Sequence, residues 1–203
     1  MMRNSTNIIK YKRLAPIYDV LFSKLLGSAR KKAFNLLQFT DGSKVLLMGV
    51  GTGEDFKYIP DRCTCVGIDI SQPMLDKARK KTENKSVVLY NMNAEELEFP
   101  DGSFDYVVLN LILSVAENPQ KVINEAIRVL KGDGQILVFD KFANKSKKIS
   151  RIRLGVNKVT SFIGTDINRC FEDNICDVPL EIIKDESSFF RGTYRNILLV
   201  KKS

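Results

Sequence analysis

Apolar and polar stretches alternate through the middle of the chain as strands and helices do. Short, almost continuous apolar runs predict buried strands at Lys44–Met48, Thr64–Ile70, Val87–Tyr90, Phe104–Leu109 and Gln135–Phe139. Apolar residues at helical spacing follow two of these runs and predict helices over Met74–Lys81 and Pro119–Leu130. Ser71 is the expected N-cap of the first helix, with Pro73 in its first turn. The second helix is expected to end at Lys131-Gly132-Asp133-Gly134.

Two later runs, Leu180–Ile183 and Asn196–Val200, are predicted to form a final strand pair. Strand–helix alternation with apolar strands is typical of a doubly wound, parallel α/β sheet covered by helices on both faces. Ligands bind such sheets beyond the carboxyl ends of the strands. The loops after Met48, Ile68, Tyr90 and Leu109 are therefore expected to line one site.

The formal net charge of +8 over 203 residues is concentrated in two segments. Residues 1–40 carry eight basic groups against one acid, and residues 141–163 carry seven basic groups and no acid. Residues 41–140, in contrast, carry eleven basic and sixteen acidic groups. No linker divides the chain, so we expect one domain over 1–203 with four parts: a basic helical cap (1–40), a core (41–140), a basic helical lid (141–179) and a strand pair (180–203).

The chain has no histidine, which excludes Ser-His-Asp and Cys-His catalysis and histidine-ligated metal sites. Cys63 and Cys65 lie two residues apart, and Cys170 and Cys176 six apart. Neither spacing matches a four-thiolate zinc site, so no metal is predicted. Met1–Asn7 is polar and no apolar run is long enough to span a bilayer, so a cytoplasmic protein is expected.

A glycine-rich loop, Gly49-Val50-Gly51-Thr52-Gly53, follows the first predicted strand, and Asp69 ends the second. A carboxylate at that position suits the two hydroxyl groups of a ribose. Glu54 stands where the dinucleotide-binding pattern has its third glycine, and a carboxylate there would repel a pyrophosphate. The pattern therefore favours a nucleoside ligand without phosphates.

Four stretches, in order, resemble motifs of the class I S-adenosylmethionine-dependent methyltransferases. They are Val45–Gly53, Gly67–Ser71, Asn93–Asp105 and Arg128–Gly134. The resemblance implies a mostly parallel seven-stranded sheet, Rossmann-like, with an antiparallel C-terminal strand. It also implies S-adenosylmethionine as the cofactor and S-adenosylhomocysteine as the product.

The resemblance further implies which residues contact the cofactor. Gly49, Gly51 and Gly53 make room for the methionyl part, and Asn110 with Leu111 closes that side. Asp69 holds the ribose, Ile70 and Met74 lie against adenine, and Asn93 with Ala94 meets the adenine edge. Thr52, Glu95 and Ser114 belong to the same predicted set. Tyr11, Tyr18 and Asp19 resemble a motif of the ubiquinone/menaquinone methyltransferase-like branch, in which a tyrosine, here Tyr18, reaches the cofactor.

Two positions depart from the family pattern. The family usually has an acidic residue where this chain has Leu47, and an aspartate where it has Asn93. A catalytically inactive protein that binds the cofactor is therefore an alternative to an enzyme.

The absence of histidine is compatible with methyl transfer, because the leaving group departs neutral and the protein mainly aligns the reactants. Tyr18, Asp19 and Glu117 are candidates for assisting the nucleophile, and no catalytic residue is assigned. Leu111–Pro119, with Ser114 where many quinone-methylating relatives have histidine, resembles bacterial phosphatidylethanolamine N-methyltransferases. Tyr18–Leu26 is similar to the same group.

Basic amphipathic patterns lie in both cationic segments, over Leu14–Leu37 and Lys145–Ile163. Such helices bind anionic membrane surfaces when their apolar face is free. Alternatively, that face packs on the sheet as a lid. We therefore predict methylation of a phospholipid amine or another lipid-soluble acceptor, by a protein peripheral at the inner face of the membrane. A soluble methyltransferase of small molecules or RNA is the alternative. RNA ranks lower because residues 141–163 offer only Phe142 and Phe162 for base stacking.

Overall fold

The computed structural model describes residues 26–82, 85–142, 170–189 and 193–202. Seven strands form one sheet in the order β3-β2-β1-β4-β5-β7-β6. Their bounds are β1 Lys44–Met48, β2 Thr64–Asp69, β3 Val87–Asn91, β4 Phe104–Asn110, β5 Leu130–Lys141, β6 Leu180–Phe189 and β7 Tyr194–Lys201. Strands β1 to β5 are parallel to one another, whereas β7 runs antiparallel to both β5 and β6. This confirms the predicted doubly wound sheet with its antiparallel C-terminal strand.

Helices cover both faces of the sheet. They are α1, which includes residues 26–34, α2 (Gln72–Arg79), α3 (Pro119–Val129) and α4 (Phe171–Ile175), with a short 3₁₀ turn at Phe56–Tyr58. Successive residues of β1 alternate between two buried clusters, since neighbouring side chains of a strand point to opposite faces. Val45 and Leu47 join α1 and α2, while Leu46 and Met48 join α3 and α4.

The ends of several predicted elements lie elsewhere, and β6 in particular continues beyond the predicted Ile183 to Phe189. Helix α2 begins two residues earlier than predicted, at Gln72, with Ser71 as its N-cap and Pro73 in the first turn. Strand β5 begins at Leu130, immediately after α3, and residues 131–134 bulge out between two of its pairings with β4. Gly134 lies against β4 there, because a Cβ on it would come within 2.8 Å of the Asp105 carbonyl oxygen.

The apolar face of α1 is packed rather than free. Leu26, Ala29, Ala33 and Phe34 are buried in the same cluster as Val45 and Leu47 of the sheet. Lys31 and Lys32 are exposed, but the side chain of Arg30 is only 12% exposed and is paired with Asp55. For this described part of the N-terminal segment, the packed alternative is the one observed.

Several predictions fall on residues outside the described ranges. They include Tyr11, Tyr18 and Asp19, and most of the basic segment 141–163. Among the helices in the described ranges, none combines the length and apolar character needed to cross a membrane.

Candidate active site

The glycine-rich loop lies where three parallel strands end side by side. Met48 at the end of β1 pairs with Ile68 of β2 and with Leu109 of β4. The backbone N–H groups of Gly49 and Val50 both donate to the Ile68 carbonyl oxygen at 2.9 Å. The loop is thereby fixed at the carboxyl edge of the sheet, where ligands of such folds bind.

The three loop glycines all have positive φ, but they face different surroundings. A Cβ on Gly49 would lie 2.9 Å from Ile112, and one on Gly53 would lie 2.5 Å from the Phe56 ring. Gly51, with φ 54°, has nothing within 4 Å of the corresponding position. Gly49 and Gly53 therefore make room for other parts of the protein, and the open space lies beside Gly51.

Asp69 binds the loop and has acceptor capacity left. Its Oδ2 accepts the Gly51 N–H at 2.8 Å, and its Oδ1 accepts the Ser71 N–H at 2.8 Å. Burial raises the pKa of Asp69, and these two backbone hydrogen bonds oppose that rise. Because each carboxylate oxygen can accept a second hydrogen bond, Asp69 can still take two hydroxyl donors.

An apolar surface lies next to that carboxylate. Ile70 is 38% exposed, and Met74 is buried on the following helix. An adenine ring is a flat, largely apolar group that such a surface can cover.

Asn93 and Glu95 also organise the loops around the site. The Asn93 Oδ1 accepts the Glu95 N–H at 3.1 Å, and it keeps a second lone pair while the Nδ2 group can donate to a ligand. Glu95 in turn accepts the Asn118 N–H at 2.9 Å and so ties the adenine-side loop to the loop before α3. Ala94 packs against the core cluster on the α3 face.

A buried polar cluster lies at the end of β4. The Asp55 carboxylate accepts from Arg30 at 2.6 Å and from the Asn110 Nδ2 at 2.8 Å. Asn110 is 6% exposed, and its Oδ1 finds no hydrogen-bond partner among the described residues. The next residue, Leu111, has φ 55°, a backbone conformation that costs energy for a non-glycine residue.

A buried hydrogen bond joins the loop that follows Leu111 to Asp140, near the end of β5. The Ser114 N–H donates to the Asp140 Oδ2 at 3.0 Å, and both residues are buried. Burial raises the pKa of Asp140, which the hydrogen bonds from Ser114 and Lys141 oppose. Glu117, predicted as a candidate for assisting the nucleophile, is exposed on this loop.

One departure from the methyltransferase family pattern, Leu47, and one from the dinucleotide-binding pattern, Glu54, have a structural outcome. Leu47 is buried among apolar side chains, so the β1 position carries no polar group toward a ligand. Glu54 is bound by Lys81 at 2.5 Å and Lys57 at 3.3 Å. These two lysines offset the negative charge of Glu54.

The arrangement fits a nucleoside with a charged tail. It offers a carboxylate with spare acceptors, an exposed aliphatic surface, open space beside Gly51 and an unused amide oxygen on Asn110. Of the predicted residues, the structure gathers the loop glycines, Thr52, Asp69, Ile70, Met74, Asn93, Ala94, Glu95, Asn110, Leu111 and Ser114 around the carboxyl edge. Sequence reasoning missed Arg30, Asp55 and Asp140, because each acquires its partner only through the fold.

Comparison with known proteins gives matches in sequence and in structure. Residues 46–138 match the family model described as "Methyltransferase domain". The phosphatidylethanolamine N-methyltransferase of Cereibacter sphaeroides is 32% identical over 178 residues, which cover 86% of this chain and 87% of that protein. The demethylmenaquinone methyltransferase of Listeria welshimeri is 33% identical over 141 residues, or 64% of this chain and 60% of that protein.

Solved structures share the fold at low sequence identity. A SAM-dependent methyltransferase from Thermotoga maritima superposes with a TM-score of 0.74 at 19% identity, covering 95% of this chain and 99% of that one. The [4+2]-cyclase SpnF superposes with a TM-score of 0.70 at 18% identity, covering 85% and 81% of the two chains. Because a cyclase shares it, the fold alone does not define the reaction.

Proposed function

Because the chain belongs to the class I S-adenosylmethionine-dependent methyltransferases, we propose that it N-methylates the amine of a phospholipid of the phosphatidylethanolamine type. The observation that carries this proposal is the extent of the match to the Cereibacter protein, which covers 86% of this chain. The match to the methyltransferase domain model covers only residues 46–138. The longer match therefore includes flanking regions, where methyltransferases of one fold differ in their acceptors.

The residues of the site would hold the cofactor as follows. Asp69 would accept the two ribose hydroxyls while it keeps the Gly51 and Ser71 amides. Ile70 would cover adenine, and the Asn93 amide would meet the adenine edge, with its Nδ2 as a donor and the second lone pair of its Oδ1 as an acceptor. The methionyl tail would lie over Gly51, next to Asn110.

When bound, S-adenosylmethionine supplies a sulfonium methyl group: the acceptor nitrogen bonds to that carbon, the carbon–sulfur bond breaks, and neutral S-adenosylhomocysteine leaves. The chain's own contribution is to hold the reactants in line and to exclude water. The loop from Leu111 to Ser114 is suited to this, because the hydrogen bond from the Ser114 N–H to Asp140 holds it in place. A headgroup ammonium must lose a proton before its nitrogen can attack, and we assign no residue to that proton.

Contact with an anionic membrane surface is part of the proposal. Lys31 and Lys32 are exposed on α1, and the sequence places further basic groups on either side of the acidic core. Basic groups near an anionic leaflet each contribute about 1 kcal/mol to binding, and salt screens them. The enzyme would therefore meet its lipid at the inner face of the membrane.

The test is methyl transfer from labelled S-adenosylmethionine to vesicles that contain phosphatidylethanolamine and phosphatidylglycerol. We expect label in the monomethylated phospholipid. Vesicles in which phosphatidylcholine replaces phosphatidylethanolamine serve as the control, because their headgroup nitrogen has no proton to lose. Label only in added demethylmenaquinone, or only in a water-soluble amine, would contradict the lipid amine as acceptor.

The membrane part is tested separately by co-sedimentation. The chain should sediment with phosphatidylglycerol vesicles at low salt and be released as salt is raised. Absence of binding at low salt would remove the membrane surface from the proposal but leave the methyl acceptor to the first experiment.

A further inference from the structure

We infer that Asp55 is a positioning residue that turns the amide oxygen of Asn110 toward the α-ammonium group of the bound cofactor. The inference rests on the proposed assignment of Asn110 to the methionyl side of the site. It adds a function for two residues, Asp55 and Arg30, that belong to neither the glycine loop nor the ribose contact.

Asp55 determines the orientation of the Asn110 amide. A carboxylate paired with a guanidinium can only accept hydrogen bonds, so the group of Asn110 that faces Asp55 must be its Nδ2. The side chains of Arg30 and Asp55 are only 12% and 6% exposed, which protects this pair from competing water. The direction of the amide is therefore fixed by Asp55, not by Asn110 itself.

The amide oxygen of Asn110 is the group that remains for a ligand. Asn110 Oδ1 is buried and has no partner among the residues that the structure describes. A buried acceptor without a donor costs about 1–3 kcal/mol in general, so an orphan held in place by an ion pair points to a ligand that supplies the donor.

The position of Asn110 in the fold indicates which group of the ligand is that donor. Asn110 follows Leu109, whose pairing partner Met48 directly precedes the glycine loop. Ile112, two residues further on, lies within 3.3 Å of a Cβ position on Gly49. The free oxygen thus belongs to the wall shared by the glycine loop and the β4 loop, where the methionyl tail would lie. The α-ammonium group is the strong donor of that tail.

Charge balance supports the same assignment. Arg30 neutralises Asp55, so the cluster presents a neutral, oriented oxygen to the ligand rather than a second negative charge. Such an acceptor serves S-adenosylmethionine and S-adenosylhomocysteine alike, because both carry the ammonium group.

The test compares two ligands in one variant, Asp55→Asn. S-adenosylhomocysteine has the ammonium group, whereas 5′-methylthioadenosine has the same nucleoside and thioether without it. Calorimetric titration should show the affinity for S-adenosylhomocysteine falling about tenfold, the value of one well-placed hydrogen bond, with methylthioadenosine affinity nearly unchanged. Partial unfolding would lower both equally, so the ratio of the two affinities is insensitive to it.

Asp105→Asn is the matched control. It removes another paired carboxylate, bound to Lys131 at the opposite end of β4, and should leave the ratio of affinities as in the wild type. In an Asn110→Ala background, Asp55→Asn should add little, because its effect passes through Asn110.

An equal loss for both ligands would make Asp55 merely structural and overturn the inference, and so would an unchanged affinity for S-adenosylhomocysteine. Full additivity with Asn110→Ala would overturn it as well. A wild-type chain that binds neither ligand would instead overturn the cofactor assignment, and the positioning role with it.

Discussion

The guanidinium groups of Arg128 and Arg30 each bind carboxylates, yet the two clusters differ in what they leave unused. Arg128 donates to Glu125, to Asp101 and to the carbonyl oxygens of Leu97 and Phe99. Glu125 also accepts the Leu97 N–H. Hydrogen bonds from Arg128 hold the pKa of Glu125 below its usual range.

The Arg30 cluster is more deeply buried and ends on an unused acceptor, the Asn110 Oδ1. This difference distinguishes a cluster that stabilises the fold from one that could take part in ligand binding. A cluster whose donors and acceptors are all used ties a loop to a helix, as Arg128 ties residues 97–101 to α3. A buried cluster with spare capacity at the carboxyl edge of the sheet is a candidate for completion by a ligand.

The strongest test of the saturated cluster is Arg128→Ala. Its loss leaves Glu125 with only the Leu97 N–H and takes the Arg128 donor from two carbonyl oxygens, so the free energy of unfolding should fall by about 2–3 kcal/mol. Urea unfolding followed by circular dichroism measures this. The affinity of the folded variant for S-adenosylhomocysteine should change far less than its stability. A large loss of affinity with unchanged stability would reverse the comparison.

The second prediction uses the pKa of Asp69, whose spare acceptors place it with the incomplete cluster. Burial raises that pKa, so the carboxylate takes up a proton at a pH above the ordinary aspartate value of about 3.9. As the pH falls through this raised pKa, Asp69 can no longer accept from both ribose hydroxyls, and S-adenosylhomocysteine should bind roughly thirtyfold more weakly.

In the ligand-free protein, the contribution of Asp69 to folding stability changes with pH in the opposite direction to its contribution to binding. A raised pKa in the folded state means that this group stabilises the fold at acid pH and loses that contribution as the pH rises through it. Titrations at several pH values test the binding arm, with Asp69→Asn as the control that should give a flatter profile. Wild-type affinity that is constant down to the ordinary aspartate range would contradict the prediction.

A third prediction compares two glycines that both have open space around them, Gly51 at the site and Gly102 in a turn. Gly51 and Gly102 have φ values of 54° and 62°, and neither has an atom within 4 Å of its Cβ position. Alanine at either position should cost about 1–2 kcal/mol of stability through backbone strain. Only Gly51→Ala should also weaken S-adenosylhomocysteine binding, by about tenfold, because its methyl group takes ligand space. Equal affinity in the two variants would move the ligand away from Gly51.

The smallest effect is expected for Lys131→Gln. Lys131 pairs with Asp105 at 2.6 Å, but its side chain is 42% exposed. An exposed pair of this kind contributes about 0–1 kcal/mol, so both unfolding and binding should stay close to wild type. A loss as large as that of Arg128→Ala would show that the exposure of an ion pair does not predict its contribution to stability.

Much of the fold followed from the sequence because the central strands are apolar on both faces. The bounds of β1 were predicted to the residue, and β4 extends only one residue further, to Asn110. Strand β5 was predicted too short, since the glycines of Lys131–Gly134 indicate a turn while the structure accommodates them as a bulge.

The site was only partly accessible from sequence. The glycine loop and Asp69 follow from their positions at strand ends, whereas the pairing of Arg30 with Asp55 joins residues 25 positions apart and has no local pattern. The different surroundings of Gly49, Gly51 and Gly53 were equally hidden, because identical residues in one loop face different neighbours.

The order of the strands has a consequence for how the chain is made. Strand β7 lies between β5 and β6, although it comes last of the three in the sequence. During synthesis, β5 therefore keeps an unpaired edge, and β6 emerges before β7, its one partner among the described strands, exists. The nascent chain passes through a five-stranded stage, and residues 194–201 close it by inserting between two elements already made. Until then, the open edges of β5 and β6 can pair with strands of other chains.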